Sequence, residues 1–265
     1  MDVFIFLDYF LNTEIRRALI MAKYQINNMK RELGNACRAL REGKPVLVFD
    51  REDREAEIDM VVAATEISPK LVYQLRLDAG GLICVAVHPK IAKKLNLPFL
   101  AELFKRNYEQ FPLLERLEGH DIPYGEKSSF SLTINHRKTF TGITDNDRAL
   151  TISEFAKLGR SVYQNGISPE KGRIEFGENF RSPGHVFLLR GADGLLQKRK
   201  GHTELTIVLA NMAGITPVTT ICEMMDGETG KALSLEKAKE YAIRHSLPII
   251  NSELIFEEFL KTSEE

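Results

Sequence analysis

Apolar residues return at Met29, Leu33, Ala36, Cys37 and Leu40, the three-and-four spacing of an amphipathic helix, and Gly43 with Pro45 stops it. Pro45 to Phe49 and Ile58 to Ala64, the latter apolar apart from Asp59, predict two buried strands, joined by a charged stretch too short to hold a helix. Ser68-Pro69 predicts a capped helix running to about Asp78. Gly80-Gly81 then turns the chain into a strand over Leu82 to Val87, which His88-Pro89 ends. Residues 90–127 carry no sustained period and predict short helices with a long loop. Phe130 to Ile134 alternates as a strand, with a turn at Asn135 to Lys138 before a second extended run, Thr139 to Ile143. Thr151-Ile-Ser-Glu154 has the form of a capping box and predicts a helix start. Pro183-Gly184 predicts a turn ahead of the strand Val186 to Leu189. A helix is expected over the Gly201 to Gly214 region with Thr203 as its cap, then a strand over Val218 to Cys222, one further strand, and helices capped by Ser234 and Ser252. Strands and helices interleave throughout with no linker or repeat. The expectation is one α+β domain over residues 29–265, a three-layer α/β/α arrangement around a mixed twisted sheet, preceded by an N-terminal extension of residues 1–28.

Composition narrows the function classes. Of 265 residues, 43% are hydrophobic and 28% charged, the balance of a globular domain. Lys and Arg number 36 against 37 Asp and Glu, a formal net charge of −1, so no global basic field exists to hold nucleic acid. The apolar start, Val3 to Leu11, is interrupted by Asp8 and too short for a membrane span. Cys37, Cys84 and Cys222 are few, scattered and without a CxxC pair, which suggests a reducing, cytoplasmic setting rather than disulfides or thiolate-bound zinc.

Near-zero net charge hides strong local charge. Asp50 to Asp59 holds six carboxylates and two guanidinium groups within ten residues, between two predicted strands and therefore at the rim of a sheet. Hard cations such as Mg²⁺ take oxygen ligands and share substrate oxygens, while arginines neutralise phosphate. The segment Arg199-Lys200-Gly201-His202-Thr203 sets a basic turn and an imidazole at a helix start, where free N–H groups favour an anion. His185 precedes one strand and Glu223 ends another, supplying two further proton-handling groups. Carboxylate, imidazole and guanidinium groups converging from separate turns suit a metal-assisted site for a sugar phosphate. His88, His120, His136 and His245 lack metal-ligand spacing. The residues alone leave open a sugar-phosphate isomerase or aldolase, or a non-catalytic nucleotide-binding module.

Taken together, DREDREAEIDM at 50–60, GGLIC at 80–84, FTGITDNDRALT at 140–151, RSPGHVFLLR at 181–190, RKGHTELT at 199–206 and ICEMM at 221–225 resemble the 3,4-dihydroxy-2-butanone 4-phosphate synthases, in order from about residue 30 to 260. Ile58 in place of a usual glycine, and the long 90–127 segment, resemble the archaeal branch. The resemblance implies conversion of D-ribulose 5-phosphate to L-3,4-dihydroxy-2-butanone 4-phosphate and formate. It also implies two Mg²⁺ or Mn²⁺ ions per site and a homodimer with sites at the subunit interface. Matched motif by motif, Glu55 and His202 are the implied metal ligands. Arg54, Glu55, Asp59, Thr141, Arg199, Lys200, Gly201, His202, Thr203 and Glu223 are the implied substrate contacts. His185 and Glu223 fall on catalytic positions, and Asp50, Glu57 and Cys84 on functionally sensitive ones. No cysteine follows Cys222, so a fused GTP cyclohydrolase II half with its zinc-binding cysteines is not expected.

Overall fold

Val46–Phe49 (β1) and Ile58–Ala63 (β2) pair antiparallel, Val46 opposite Val61 and Phe49 opposite Ile58. Every residue of both strands is buried, because each side of the pair faces its own core. Leu47, Phe49, Ile58 and Met60 point into one, and Val46, Val48 and Val61 into the other. Burial on both faces is why these runs are apolar at nearly every position instead of alternating with polar residues, Asp59 being the single exception. The computed structural model describes residues 21, 27–119, 121 and 128–263. Most of the expected extension, and His120, lie outside the described residues.

Cys84–Val87 (β3), Phe130–His136 (β4), Phe180–Arg190 (β5), Val218–Glu223 (β6) and Ile249–Asn251 (β9) complete a seven-stranded sheet in the order β4-β5-β3-β6-β2-β1-β9. β1 runs parallel to β9 and β3 to β5, while the other neighbours are antiparallel, so the sheet is mixed as expected. Met225–Asp226 (β7) and Lys231–Ala232 (β8) form a small separate hairpin, beyond the single late strand expected.

The helices are α1 (27–41), α2 (Pro69–Gln74), α3 (Pro89–Leu95), α4 (Leu100–Lys105), α5 (Leu113–Arg116), α6 (Asp145–Tyr163), α7 (Pro169–Asn179), α8 (His202–Met212), α9 (Leu235–His245) and α10 (Ser252–Ser263). Val72 of α2, Ile91 of α3, Phe155 of α6 and Ala238 of α9 share the core of one sheet face. Leu40 of α1, Leu205 of α8 and Ile255 of α10 cover the other. Three layers result. Phe155 is fully buried among aromatic neighbours Phe176 and Phe180, so its truncation to alanine would cost about 3–5 kcal/mol. No described helix is long and apolar enough to cross a membrane.

Several local signals act as expected. Ser68 and Ser234 each accept a hydrogen bond from the backbone N–H three residues on. The short helices α3, α4 and α5 occupy the described part of 90–127. Others do not. α6 starts at Asp145, capped by Thr144 Oγ1 on Asp147 N at 3.1 Å, and not at Thr151. Thr151 is spent inside the helix, accepting from His136 N and donating to the Asp147 carbonyl. Thr139 to Ile143 is a loop leading into that cap, not a strand. Pro183-Gly184 does not precede the strand but lies inside β5 as a bulge: residues 182–185, which include a cis Ser182–Pro183 bond, leave the ladder, which steps from Ile134 opposite Val186 to Asn135 opposite Arg181. Pro183 cannot donate to the ladder, and bonds from Gly184 N to Thr133 Oγ1 and from Ser182 Oγ to the Thr133 carbonyl tie the strand to β4 there. α8 is capped by Gly201, placing Thr203 within its first turn.

Candidate active site

β2, β3 and β6 carry Asp59, Cys84 and Glu223 on the sheet face covered by α8. Asp59 pairs opposite Glu223, and Cys84 opposite Ile221. The loop 50–57 closes over this edge, with Asp50 N bonded to the Glu57 carbonyl and Ala56 N to the Arg51 carbonyl. Ala56 takes a left-handed φ of 53°, a conformation that costs a non-glycine residue about 1–2 kcal/mol. Ile58, the departure noted in the sequence, is fully buried in the opposite core, so its branched side chain leaves the loop unobstructed.

Arg54 lies beneath the loop, only 2% exposed, with Nη1 at 2.7 Å from both Asp50 Oδ2 and Glu55 Oε2. The first residue of α8 brings His202 to the same place: Nδ1 is 3.4 Å from Glu55 Oε2, and Nε2 is 3.9 Å from Asp59 Oδ1. Gly201 permits this approach, since a Cβ there would collide with the Arg199 and Arg54 guanidinium groups. Ligand atoms of Asp50, Glu55 and His202 all lie within 4.8 Å of one another.

Crowding of carboxylates sets the electrostatics. Burial first, then Glu223, Glu57 and Glu55, push the Asp59 carboxyl up to about 7 against the pull of His202. Burial opposes a charged His202 ring, but Asp59, Glu55 and Asp50 outweigh it and lift the imidazole to about 9. Glu57 is raised by burial and by Glu55 and Glu223. Burial with Glu223 and Asp59 keeps the Cys84 thiol protonated, which argues against a nucleophilic thiolate. Asp50 Oδ1, Asp59 Oδ1 and His202 Nε2 are buried with no hydrogen-bond partner among the described residues. Surplus negative charge and unpartnered buried ligand atoms are what a hard cation would satisfy, so these residues fit a divalent metal.

A cavity of about 190 Å³ opens beside the cluster, lined by Glu55, Glu57, Asp59, Cys84, Arg199, His202, Thr203 and Glu223 of the expected set, with Ser128, Ser129, Phe130, Leu189 and Ile221. Glu223 Oε2 is anchored by the Leu82 N–H at 2.8 Å. Lys200 turns away, its ammonium 4.1 Å above the Phe256 ring on α10. Thr141 and His185 stand outside the lining. β5 and β6 flank β3 with Phe187 and Ile221 both opposite Cys84, so His185 and Glu223 sit toward the same end of the sheet, one strand apart. His88, His136 and His245 take no part in the cluster.

Two functional neighbours escaped the sequence reading. Glu204, fully buried, grips Arg199 Nη1 at 2.7 Å with one oxygen and accepts the Ala192 N–H at 2.9 Å with the other. Its only sequence mark is a charge on an otherwise buried helix. Asn135 contacts His185 and Thr141, and no local pattern announced it.

Residues 34–258 match the family model for 3,4-dihydroxy-2-butanone 4-phosphate synthase. The chain is 50% identical over 226 residues to the enzyme of that name from Methanothermobacter thermautotrophicus, covering 85% of this chain and 95% of the relative. It is 48% identical to that from Archaeoglobus fulgidus over 86% and 94% of the two chains. A solved structure of a 3,4-dihydroxy-2-butanone 4-phosphate synthase in complex with two magnesium ions is similar with a TM-score of 0.67 at 26% identity, over 87% of this chain and 97% of that one. With the acidic loop, the His202 turn and the mixed sheet in place, the chain belongs to the 3,4-dihydroxy-2-butanone 4-phosphate synthase family.

Proposed function

We propose that the cavity converts D-ribulose 5-phosphate to L-3,4-dihydroxy-2-butanone 4-phosphate and formate, a step of riboflavin biosynthesis. The observation that carries this reading is the convergence of Asp50, Glu55 and His202 beside two proton-handling carboxylates and a fixed guanidinium. Glu55 and His202 would hold Mg²⁺ or Mn²⁺, with Asp50 as a third ligand, and the site would take two ions. When bound, the metal supplies Lewis acidity to substrate oxygens.

The chain's own groups do the rest. Arg199, locked by Glu204, and Thr203 at the start of α8 bind the phosphate, with Gly201 giving the backbone room. Asp59, raised to about 7, is suited to take the proton from carbon 3 and leave an enediol, with Glu57, also raised by burial, beside it. Arg54 serves from beneath by fixing Asp50 and Glu55. Glu223 faces the cavity from a different strand, as loss of water from carbon 1, skeletal rearrangement and release of carbon 4 as formate require. Cys84 forms an apolar, protonated wall behind the substrate.

Thr141 and His185 approach the substrate in a homodimer whose sites lie at the subunit interface. Exposed Phe140 and Ile143 on the loop carrying Thr141 support that arrangement. The enzyme works in the cytoplasm, where Cys37, Cys84 and Cys222 stay reduced. The deciding assay is formate release from D-ribulose 5-phosphate with Mg²⁺, abolished by EDTA; no metal-dependent formate would end the proposal.

A further inference from the structure

Asn135 is 3% exposed, sits on β4, and reaches across to β5 with both ends of its amide. Its Oδ1 accepts the backbone N–H of His185 at 2.8 Å, which only an oxygen can do. Its other atom lies 3.3 Å from the Thr141 carbonyl, which only a nitrogen can satisfy. Two independent partners therefore fix the amide orientation. The same Nδ2 lies 3.1 Å from His185 Nδ1. An N–H donor facing Nδ1 makes that ring atom the acceptor, so the proton of the neutral imidazole resides on Nε2.

The loop around Asn135 is built to keep it there. Gly142, at φ 95°, leaves no Cβ to strike the amide, and its N–H is held by Asp147 Oδ2 at 2.8 Å. Arg181 Nη2 ties down the Thr139 and Phe140 carbonyls at 3.1 Å each. Thr141 and His185, two of the expected site residues, are thus joined through one side chain.

We propose that Asn135 is a positioning residue that holds His185 as its Nε2–H tautomer, so that His185 acts on the substrate as a hydrogen-bond donor and not as a base. A histidine that removes protons through Nε2 needs an acceptor at Nδ1, commonly a carboxylate or carbonyl. Here the arrangement is reversed. His185 stabilises a substrate oxygen as it gains negative charge, no proton leaves the ring, and proton movement falls to the carboxylates. This rests on the reading of His185 as a residue of the synthase site.

The test combines a spectroscopic and a kinetic arm on the full chain. In ¹⁵N-histidine-labelled protein, the resonance pair lost in His185→Gln should show Nδ1 unprotonated and Nε2 protonated. Asn135→Asp keeps the shape but puts an acceptor at Nδ1. It should move the ring proton to Nδ1 and lower kcat about 100-fold with Mn²⁺ binding unchanged, while the melting temperature drops because the buried bond to the Thr141 carbonyl is lost. His185→Ala should lose about 10²–10³-fold in kcat, as for removal of one oxyanion donor, and His185→Gln, which restores an N–H, should lose less. A wild-type ring protonated on Nδ1, or Asn135→Asp with full kcat, overturns the inference while the synthase reading stands. Full activity in His185→Ala removes His185 from the site and the inference with it.

Discussion

His202 Nε2 and Asp59 Oδ1 face each other across 3.9 Å, both buried, neither hydrogen-bonded among the described residues. The gap is too wide for a hydrogen bond and leaves room for one small ligand between them. Two atoms that would each cost energy if left unpaired are kept apart by the strand β2 and the helix α8. That separation is the physical signature of a site built for something to enter.

Metal binding is the first consequence. Glu55→Gln and His202→Asn should each weaken Mn²⁺ binding at least about 100-fold, read by electron paramagnetic resonance titration, because each removes an inner ligand and not merely its support. Dialysis against EDTA should abolish formate release and Mg²⁺ should restore it. A Glu55→Gln protein that titrates like the parent would remove Glu55 from the ligand set.

The stability of the metal-free protein should depend on pH in a defined sense. Asp59 carries a carboxyl raised from 3.8 to about 7 on folding, so between those values the native state keeps a proton that the unfolded chain has released. Stability therefore falls as pH rises through that window. His202, raised from 6.5 to about 9, contributes stability that is complete below 6.5 and lost as pH rises through about 9. Denaturant titrations in EDTA should show Asp59→Asn flattening the decline between about pH 4 and 7, and His202→Asn flattening it between about 6.5 and 9. Unchanged slopes would mean these groups carry no folding-linked proton.

Arg199 owes its position to Glu204. A charge-assisted hydrogen bond of this kind is worth about 1.5–3 kcal/mol, so Glu204→Gln, which keeps the Ala192 contact but drops the charge, should raise KM for ribulose 5-phosphate about tenfold or more. Mn²⁺ affinity should hold. Steady-state kinetics and metal titration on one preparation distinguish this from a general loss of structure, which would weaken metal binding as well.

Phe140 is 94% exposed beside Thr141, an unusual placement for a large apolar ring. Phe140→Asp should shift sedimentation toward a monomer and lower formate release while leaving the circular dichroism spectrum unchanged. A protein that sediments as before would show that this ring plays no part in association.

Parts of the architecture were legible because their causes are local. Ser68 and Ser234 cap helices through atoms three residues away, and the short β-branched runs at Val46–Phe49 and Ile58–Ala63, too short for helices, read as strands and are strands. Thr151 misled because two threonines precede acidic residues at suitable spacing. Thr144 won, because Asp147 also secures Gly142 and β4 employs the Thr151 hydroxyl. Pro183-Gly184 misled for a related reason: the segment does leave the ladder as a bulge, but bonds to Thr133 tie it to β4 and the pairing resumes at Arg181, so the strand runs on past it.

The sequence by itself determined the chemistry available: six carboxylates within ten residues at a strand junction, a histidine at a helix start, and the motif order that places the chain in its family. Those properties depend on residue type and short spacing, which a linear chain displays directly. Only the tertiary structure decided which groups meet. It joined Glu55 to His202 across 147 positions, buried Arg54 beneath the loop, turned Lys200 toward Phe256, and set Asn135 against His185 across 50. Such contacts are made by strand register and helix packing, which sum many weak apolar interactions over the whole chain, and no segment of sequence contains that sum.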